Sequence, residues 1–152
     1  MSQRNRWGIA GRVAALLITG FAVPLHASTA KTFTAVLNGG QEVPANTSLA
    51  FGVGFFTFDR RTKLLCYSIT FSSALDGETA AHFHGPARPG QSADILFPIT
   101  PVPGRAKTGC VGPIVDARLR RALLRGLFYV NIHSTSLPAG EIRGQVLPAA
   151  LP

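Results

Sequence analysis

The chain has 152 residues, with 15 lysines and arginines against 7 aspartates and glutamates, and a formal net charge of +8. That length suits one domain with one hydrophobic core rather than two. The basic excess favours anionic surfaces or small anions, whereas the absence of interleaved aromatic and basic residues argues against a nucleic-acid partner.

The first segment has the features of a secretory signal peptide. Arg4 and Arg6 precede an apolar stretch at residues 13–23, and small residues follow at a cleavage region near 27–30. A charged start, a short apolar run and small residues at the cleavage site are the marks of such leaders. We therefore predict a signal peptide over residues 1–27 and a secreted or periplasmic protein. The alternative is a retained anchor, but the stretch is short for a membrane span and no later one is long enough.

Strand patterns dominate the remaining chain. Short runs rich in aromatic and β-branched residues alternate with turns that contain glycine and proline. The sequence predicts a single domain over residues 31–148, with an all-β, Greek-key sandwich or barrel fold of about 7–9 antiparallel strands. The runs lie at residues 31–37, 49–58, 64–71, 81–84, 95–99, 127–133 and 142–147.

One short helix is predicted near residues 116–125. Asp116 is a good N-cap residue, and Gly126 suits the position that follows the last helical turn. Leu119 and Leu123 share one face of this segment. The leucines should therefore pack the helix against the sheet.

Cys66 and Cys110 are the two cysteines of the chain. In an oxidising compartment an isolated pair most simply forms one disulfide. Closing a loop of that length contributes about 4 kcal/mol in the chain-entropy model. Metal binding by either thiolate is the alternative, although neither cysteine has a ligand-type neighbour in sequence.

Three histidines remain outside the predicted leader, since His26 lies within it. His82 and His84 are two positions apart in one predicted strand, and His133 ends another. Because side chains alternate across a strand, His82 and His84 share one side, opposite apolar neighbours that should face the core. We therefore expect all three imidazoles on outer faces of the sheet, where they form a candidate transition-metal site. Isolated surface imidazoles are the alternative.

The last predicted strand contributes two further polar candidates on an outer face, Glu141 and Arg143. Glu141 is a candidate second-shell residue that orients a ligating imidazole. Arg143 is a candidate for positioning a small anion near the metal. An ion pair of little energetic consequence is the alternative for both.

Four motifs together resemble the CHRD domain, first described in chordin. They occupy residues 38–44, 81–87, 129–133 and 138–145, in that order. The resemblance implies a small exported domain. Animal members belong to an extracellular antagonist of growth factors, and bacterial members have no generally established activity.

The layout is also similar, more distantly, to copper/zinc superoxide dismutases. The similarity rests on His82, His84 and His133, followed by Arg143 within Gly140-Glu141-Ile142-Arg143. It implies a Greek-key barrel, three histidines that bind copper, and an arginine that attracts an anionic substrate. The chain departs from that pattern because it has neither a bridging histidine nor a zinc site. The similarity therefore implies, at most, a site for copper alone.

Three functional hypotheses follow. The first is an exported transition-metal protein that binds copper in preference to zinc through the three histidines, with a redox role and a small anion as ligand. The second is a non-enzymatic extracytoplasmic module that binds a protein or an envelope polymer. The third is a three-histidine zinc site with hydrolase or hydratase chemistry, for which no general base is evident. The sequence places no nucleophile and base together, so whether the protein is an enzyme stays open.

Overall fold

The computed structural model describes residues 30–72, 74–75, 77–99 and 104–149. The predicted leader and its His26 lie outside these residues. The described part contains one α-helix, one short 3-10 helix and eight strands, within the predicted range. The strands are β1 (Ala30–Asn38), β2 (Phe51–Asp59), β3 (Leu65–Phe71), β4 (Glu78–His84), β5 (Ile95–Ile99), β6 (Ala106–Val111), β7 (Phe128–Ser134) and β8 (Ile142–Pro148).

All strand pairs are antiparallel, and the strand order is β5-β4-β7-β8-β1-β2-β3-β6. The two edge strands, β5 and β6, come into contact, so the sheet is a nearly closed barrel. β7 returns beside β4, which gives β4 to β7 the arrangement of a Greek key. The predicted all-β fold is confirmed.

The core lies inside this sheet because alternate residues of each strand are apolar. Phe33 of β1, Phe56 of β2 and Phe83 of β4 are almost completely buried, as is Val130 of β7. The rings of Phe56 and Phe83 meet edge to face, with centroids 5.8 Å apart. Each such side chain contributes about 1.5–3 kcal/mol through burial. The inward side of β4 and β7 is thereby fixed, and the histidines face the other way.

The predicted helix is also confirmed, as α1 (Ala117–Leu124). The Asp116 carboxylate accepts a hydrogen bond from the backbone N–H of Arg118 at 2.6 Å, which caps the helix. The chain leaves the helix at Gly126, whose φ of +71° favours glycine. No helix in the described ranges has the length and apolar character needed to cross a membrane.

Cys66 and Cys110 form the predicted disulfide. They are direct cross-strand partners in β3 and β6. β6 itself was not predicted, because its inward position carries Lys107 where the pattern calls for an apolar residue. Lys107 is fully buried and forms an ion pair with Glu78 at 2.7 Å. A buried lysine of this kind breaks the alternation from which strands are recognised.

Candidate metal centre

β4, β7 and β8 lie side by side, and their outward residues form a three-column array. Pairing of β4 with β7 brings the three histidines together, and pairing of β7 with β8 places Arg143 beside them. One row of direct partners crosses all three strands at the level of His82, and the next crosses at the level of His84. The rows are His82–Asn131–Arg143 and His84–Tyr129–Gln145, with Ala80–His133 as the next pair.

The three imidazoles form one cluster. Nδ1 of His82 lies 3.1 Å from Nε2 of His133. One ring nitrogen from each of His82, His84 and His133 can be chosen so that all three lie within 4.8 Å of one another. Nitrogens that bind one ion at about 2.0–2.1 Å are at most about 4.2 Å apart. Metal binding therefore requires only a small inward rotation of at least one ring.

Backbone carbonyls fix two of the rings. Nδ1 of His84 donates to the carbonyl oxygen of Ala93 at 3.0 Å, and Nδ1 of His133 donates to that of Pro138 at 2.9 Å. A carbonyl can only accept, so each Nδ1 carries the proton and each Nε2 keeps its lone pair. Carbonyls in this position orient metal-binding histidines in many proteins. His84 and His133 thus offer Nε2 as ligand atoms.

Asn131 occupies the middle of the array. Its Oδ1 lies 2.9 Å from Nε2 of His84. For a neutral His84 that donates through Nδ1, a hydrogen bond at this place requires the side-chain amide to turn so that its NH2 group faces Nε2. A metal ion at Nε2 would replace this hydrogen bond. Asn131 therefore holds the His84 ring in place when no metal is bound.

Burial lowers the pKa of two of the histidines. For His82 the main cause is desolvation, followed by the nearby His133 and His84. For His84 desolvation again dominates and outweighs the hydrogen bonds to Ala93 and Asn131, which act in the opposite direction. Both imidazoles are consequently neutral at pH 7, which is the form that binds metal.

The polar residues lie on the outer side of the sheet, but several of them are covered there. His84 is only 8 % exposed, Glu141 5 % and Arg143 2 %. His84 and Arg143 contact a cover segment, residues 86–94, that crosses the outer side of the sheet, whereas Glu141 contacts Ser48. The carbonyl groups of the cover segment accept hydrogen bonds from His84, Arg143 and Gln145. His82 and His133 are half-buried and form the accessible side of the cluster.

Glu141 does not contact the histidines in the described structure. Its Oε1 accepts a hydrogen bond from the Ser48 hydroxyl at 2.6 Å, and its Oε2 is buried with no partner among the described residues. The orienting role that the sequence suggested for Glu141 is performed by the Ala93 and Pro138 carbonyls. A second-shell role for Glu141 thus has no contact that supports it.

Arg143 lies close to the cluster, but on the far side of Tyr129. The guanidinium carbon is 3.5 Å from the centre of the Tyr129 ring. The His84 ring stacks on Tyr129 with centroids 4.8 Å apart and an angle of 4°. Because β4 and β8 flank β7 on opposite sides, the two residues pack on opposite faces of the tyrosine. Tyr129 therefore lies between Arg143 and His84, although the positive charge of Arg143 still acts to lower the pKa of His84.

Sequence reasoning missed Asn131, Tyr129 and Glu42 as site residues. Asn131 and Tyr129 were assigned to the polar side of their strand, which was the available signal. Glu42 lies within the first motif, but the sequence does not show that it is near the site. The structure brings it there because the turn at Gly39–Gln41 packs against β8. The segment after the first motif also contacts the fourth motif, since the Asn46 side chain donates to the carbonyls of Gly140 and Glu141.

The fold and the cluster define an antiparallel β-barrel domain with a candidate three-histidine metal site. The chain belongs to the CHRD-domain family, whose model matches residues 33–146. No curated protein and no solved structure matches the chain. The similarity to copper/zinc superoxide dismutases stays a prediction.

Proposed function

We propose that this CHRD-domain protein is exported and binds one copper ion through His82, His84 and His133. The observation that carries the proposal is the convergence of three imidazole nitrogens within 4.8 Å. Two of these rings are already oriented by backbone carbonyls. The disulfide and the family membership support an extracytoplasmic location.

Copper is preferred over zinc for a chemical reason. The cluster offers three imidazoles and no carboxylate, and nitrogen sites bind Cu²⁺ more tightly than Zn²⁺ in the usual affinity order. Imidazole ligands suit copper in both oxidation states. The half-buried His82 and His133 leave one side accessible to a small ligand, which is what a redox role requires.

The proposal is tested by copper titration of protein purified without an affinity tag. Wild-type protein should bind one copper per chain, whereas His82→Ala and His133→Ala should lose that binding. Ser68→Ala, an exposed change on β3, is the matched control. A parallel zinc titration distinguishes the two metals. Unchanged copper stoichiometry in both histidine variants would overturn the proposal.

A second candidate function rests on a different surface. Phe51 and Phe55 of β2, with Val36 of β1, are about 60 % exposed on the outer side of the sheet. Exposed apolar patches are typical of interaction surfaces. We infer, as the alternative, a non-enzymatic module that binds an extracytoplasmic protein or polymer here. Envelope-extract capture that is equal for wild type and Phe55→Ser would count against it.

A further inference from the structure

A cavity lies beside Arg143, which packs on the face of Tyr129 opposite His84. Its volume is about 200 Å³, which is room for about six water molecules. The turn at Gly40 to Glu42 forms one wall, Pro89 and Gly90 of the cover segment form another, and Arg143 and Gln145 of β8 form the floor. The cavity is therefore large enough for a small ion or molecule.

The guanidinium of Arg143 is buried with few partners. A guanidinium has five N–H donors, yet the only hydrogen bond it donates to a described residue goes from Nη2 to the Gln91 carbonyl at 2.7 Å. No described carboxylate forms an ion pair with it. Burying a cation without a counter-ion is costly. The Tyr129 ring offsets part of this cost, and the donors that face the cavity stay available.

Glu42 is the nearest acid to Arg143 and does not act as a full counter-ion. Burial raises its pKa to about 7, although the positive charge of Arg143 acts to lower it. Its Oε1 is buried and has no hydrogen-bond partner among the described residues. With a pKa of about 7, the Glu42 carboxyl is about half protonated at neutral pH, so it offsets the positive charge of Arg143 only in part.

We propose that this cavity is a binding site for a small oxyanion, such as a short carboxylate or an inorganic anion, held by the guanidinium of Arg143. Arginine matches such anions because its planar fork donates two parallel hydrogen bonds. Tyr129 lies between His84 and Arg143, so the anion site has its own floor and is tested in protein without bound metal.

The pH dependence of binding follows from the groups that face Glu42 and Arg143. These are Arg143 from β8, Tyr129 from β7 and, beyond the tyrosine, His84 from β4. Burial lowers the pKa of His84. Glu42 is thus the group that titrates near pH 7, and its ionisation should weaken anion binding as the pH rises.

The test is an NMR titration of chelator-treated full-length protein with acetate, phosphate and sulfate in separate series. We expect saturable shifts at the Arg143 Nε–H and at the Gln91 and Gly40 amides, stronger at pH 6 than at pH 8. The three series distinguish carboxylates from inorganic anions. Arg143→Gln should weaken binding about tenfold or more, whereas Arg121→Gln, an exposed arginine of α1, should not.

A second variant keeps the test decisive if Arg143→Gln does not fold. Glu42→Gln cannot ionise, so its binding at pH 8 should match that of wild type at pH 6. Shifts that do not saturate in wild type, or shifts equal in wild type and Glu42→Gln at both pH values, would overturn the proposal. Copper stoichiometry that is unchanged in the histidine variants would overturn the copper proposal but would leave this one unaffected.

Discussion

Backbone carbonyls orient two of the three imidazoles in the histidine cluster. Ala93 and Pro138 each fix the proton of one imidazole on Nδ1, and Asn131 holds the remaining nitrogen of His84. A carbonyl is supplied by any residue, so these contacts have no signature in the sequence. The histidines themselves were predictable because two-residue periodicity determines which side of a strand they occupy. Their burial was not, because the covering residues lie in a loop.

Glu42 gives the protein a pH-dependent stability that a single substitution should remove. Its pKa is about 7 in the folded protein, against 4.5 as its ordinary value. Between these values the unfolded chain has lost the proton that the folded protein keeps, so the free energy of unfolding falls as the pH rises. Glu42→Gln cannot ionise. We expect it to become progressively more stable than wild type from about pH 4.5 to about pH 7, with a constant difference above.

Urea unfolding of both proteins across this range measures the effect. The histidines contribute equally to wild type and variant, so their titration cancels in the difference. Asp94→Asn removes an exposed carboxyl and serves as the control, for which a flat difference is expected. A pH-independent difference for Glu42→Gln would show that Glu42 ionises normally in the fold.

Among the elements, the helix was predictable and β6 was not. The helix carries its own signals, since Asp116 and Gly126 mark its two ends locally. β6 is recognised only through its partner β3, because its inward residue is Lys107 rather than an apolar one. Glu78 of β4 forms an ion pair with the buried Lys107. Local sequence signals therefore predict a helix whose two ends they mark. They do not predict a strand whose inward residue is a lysine paired with an acid distant in the sequence.

The N-cap of α1 gives a prediction at this scale. Asp116→Ala removes the acceptor for the Arg118 N–H, and we expect a loss of about 1 kcal/mol in the free energy of unfolding. Arg118→Ala changes an exposed side chain in the same turn and should cost less than about 0.5 kcal/mol. Urea denaturation of the two variants tests this. Equal losses would indicate that the carboxylate does not cap the helix.

At the scale of the whole molecule, the disulfide and the histidine cluster lie on different parts of the barrel. The disulfide joins β3 to β6, whereas the imidazoles lie on β4 and β7. The strand order separates these pairs by β8, β1 and β2 in one direction and by β5 in the other. Stability and metal binding should therefore be separable by mutation.

Replacing both cysteines by serine tests this separation. The chain-entropy model gives a loss of about 4 kcal/mol for a loop of 44 residues' separation. Copper stoichiometry, measured well below the lowered melting temperature, should be the same as in wild type. Reduced copper binding in a variant that is still folded would show that the disulfide maintains the metal site across the barrel.

Because Tyr129 is stacked between His84 and Arg143, its intrinsic fluorescence should respond to ligands at both sites. Residues 30–149 contain two tyrosines, Tyr67 and Tyr129, and no tryptophan. Tyr67 packs against Phe83 inside the barrel and is far less affected by events on the outer side. Copper at the imidazoles would quench the emission of Tyr129 from one face, and an anion on the guanidinium would alter it from the other. In protein freed of residues 1–29, one fluorophore would thus follow both ligands without a label.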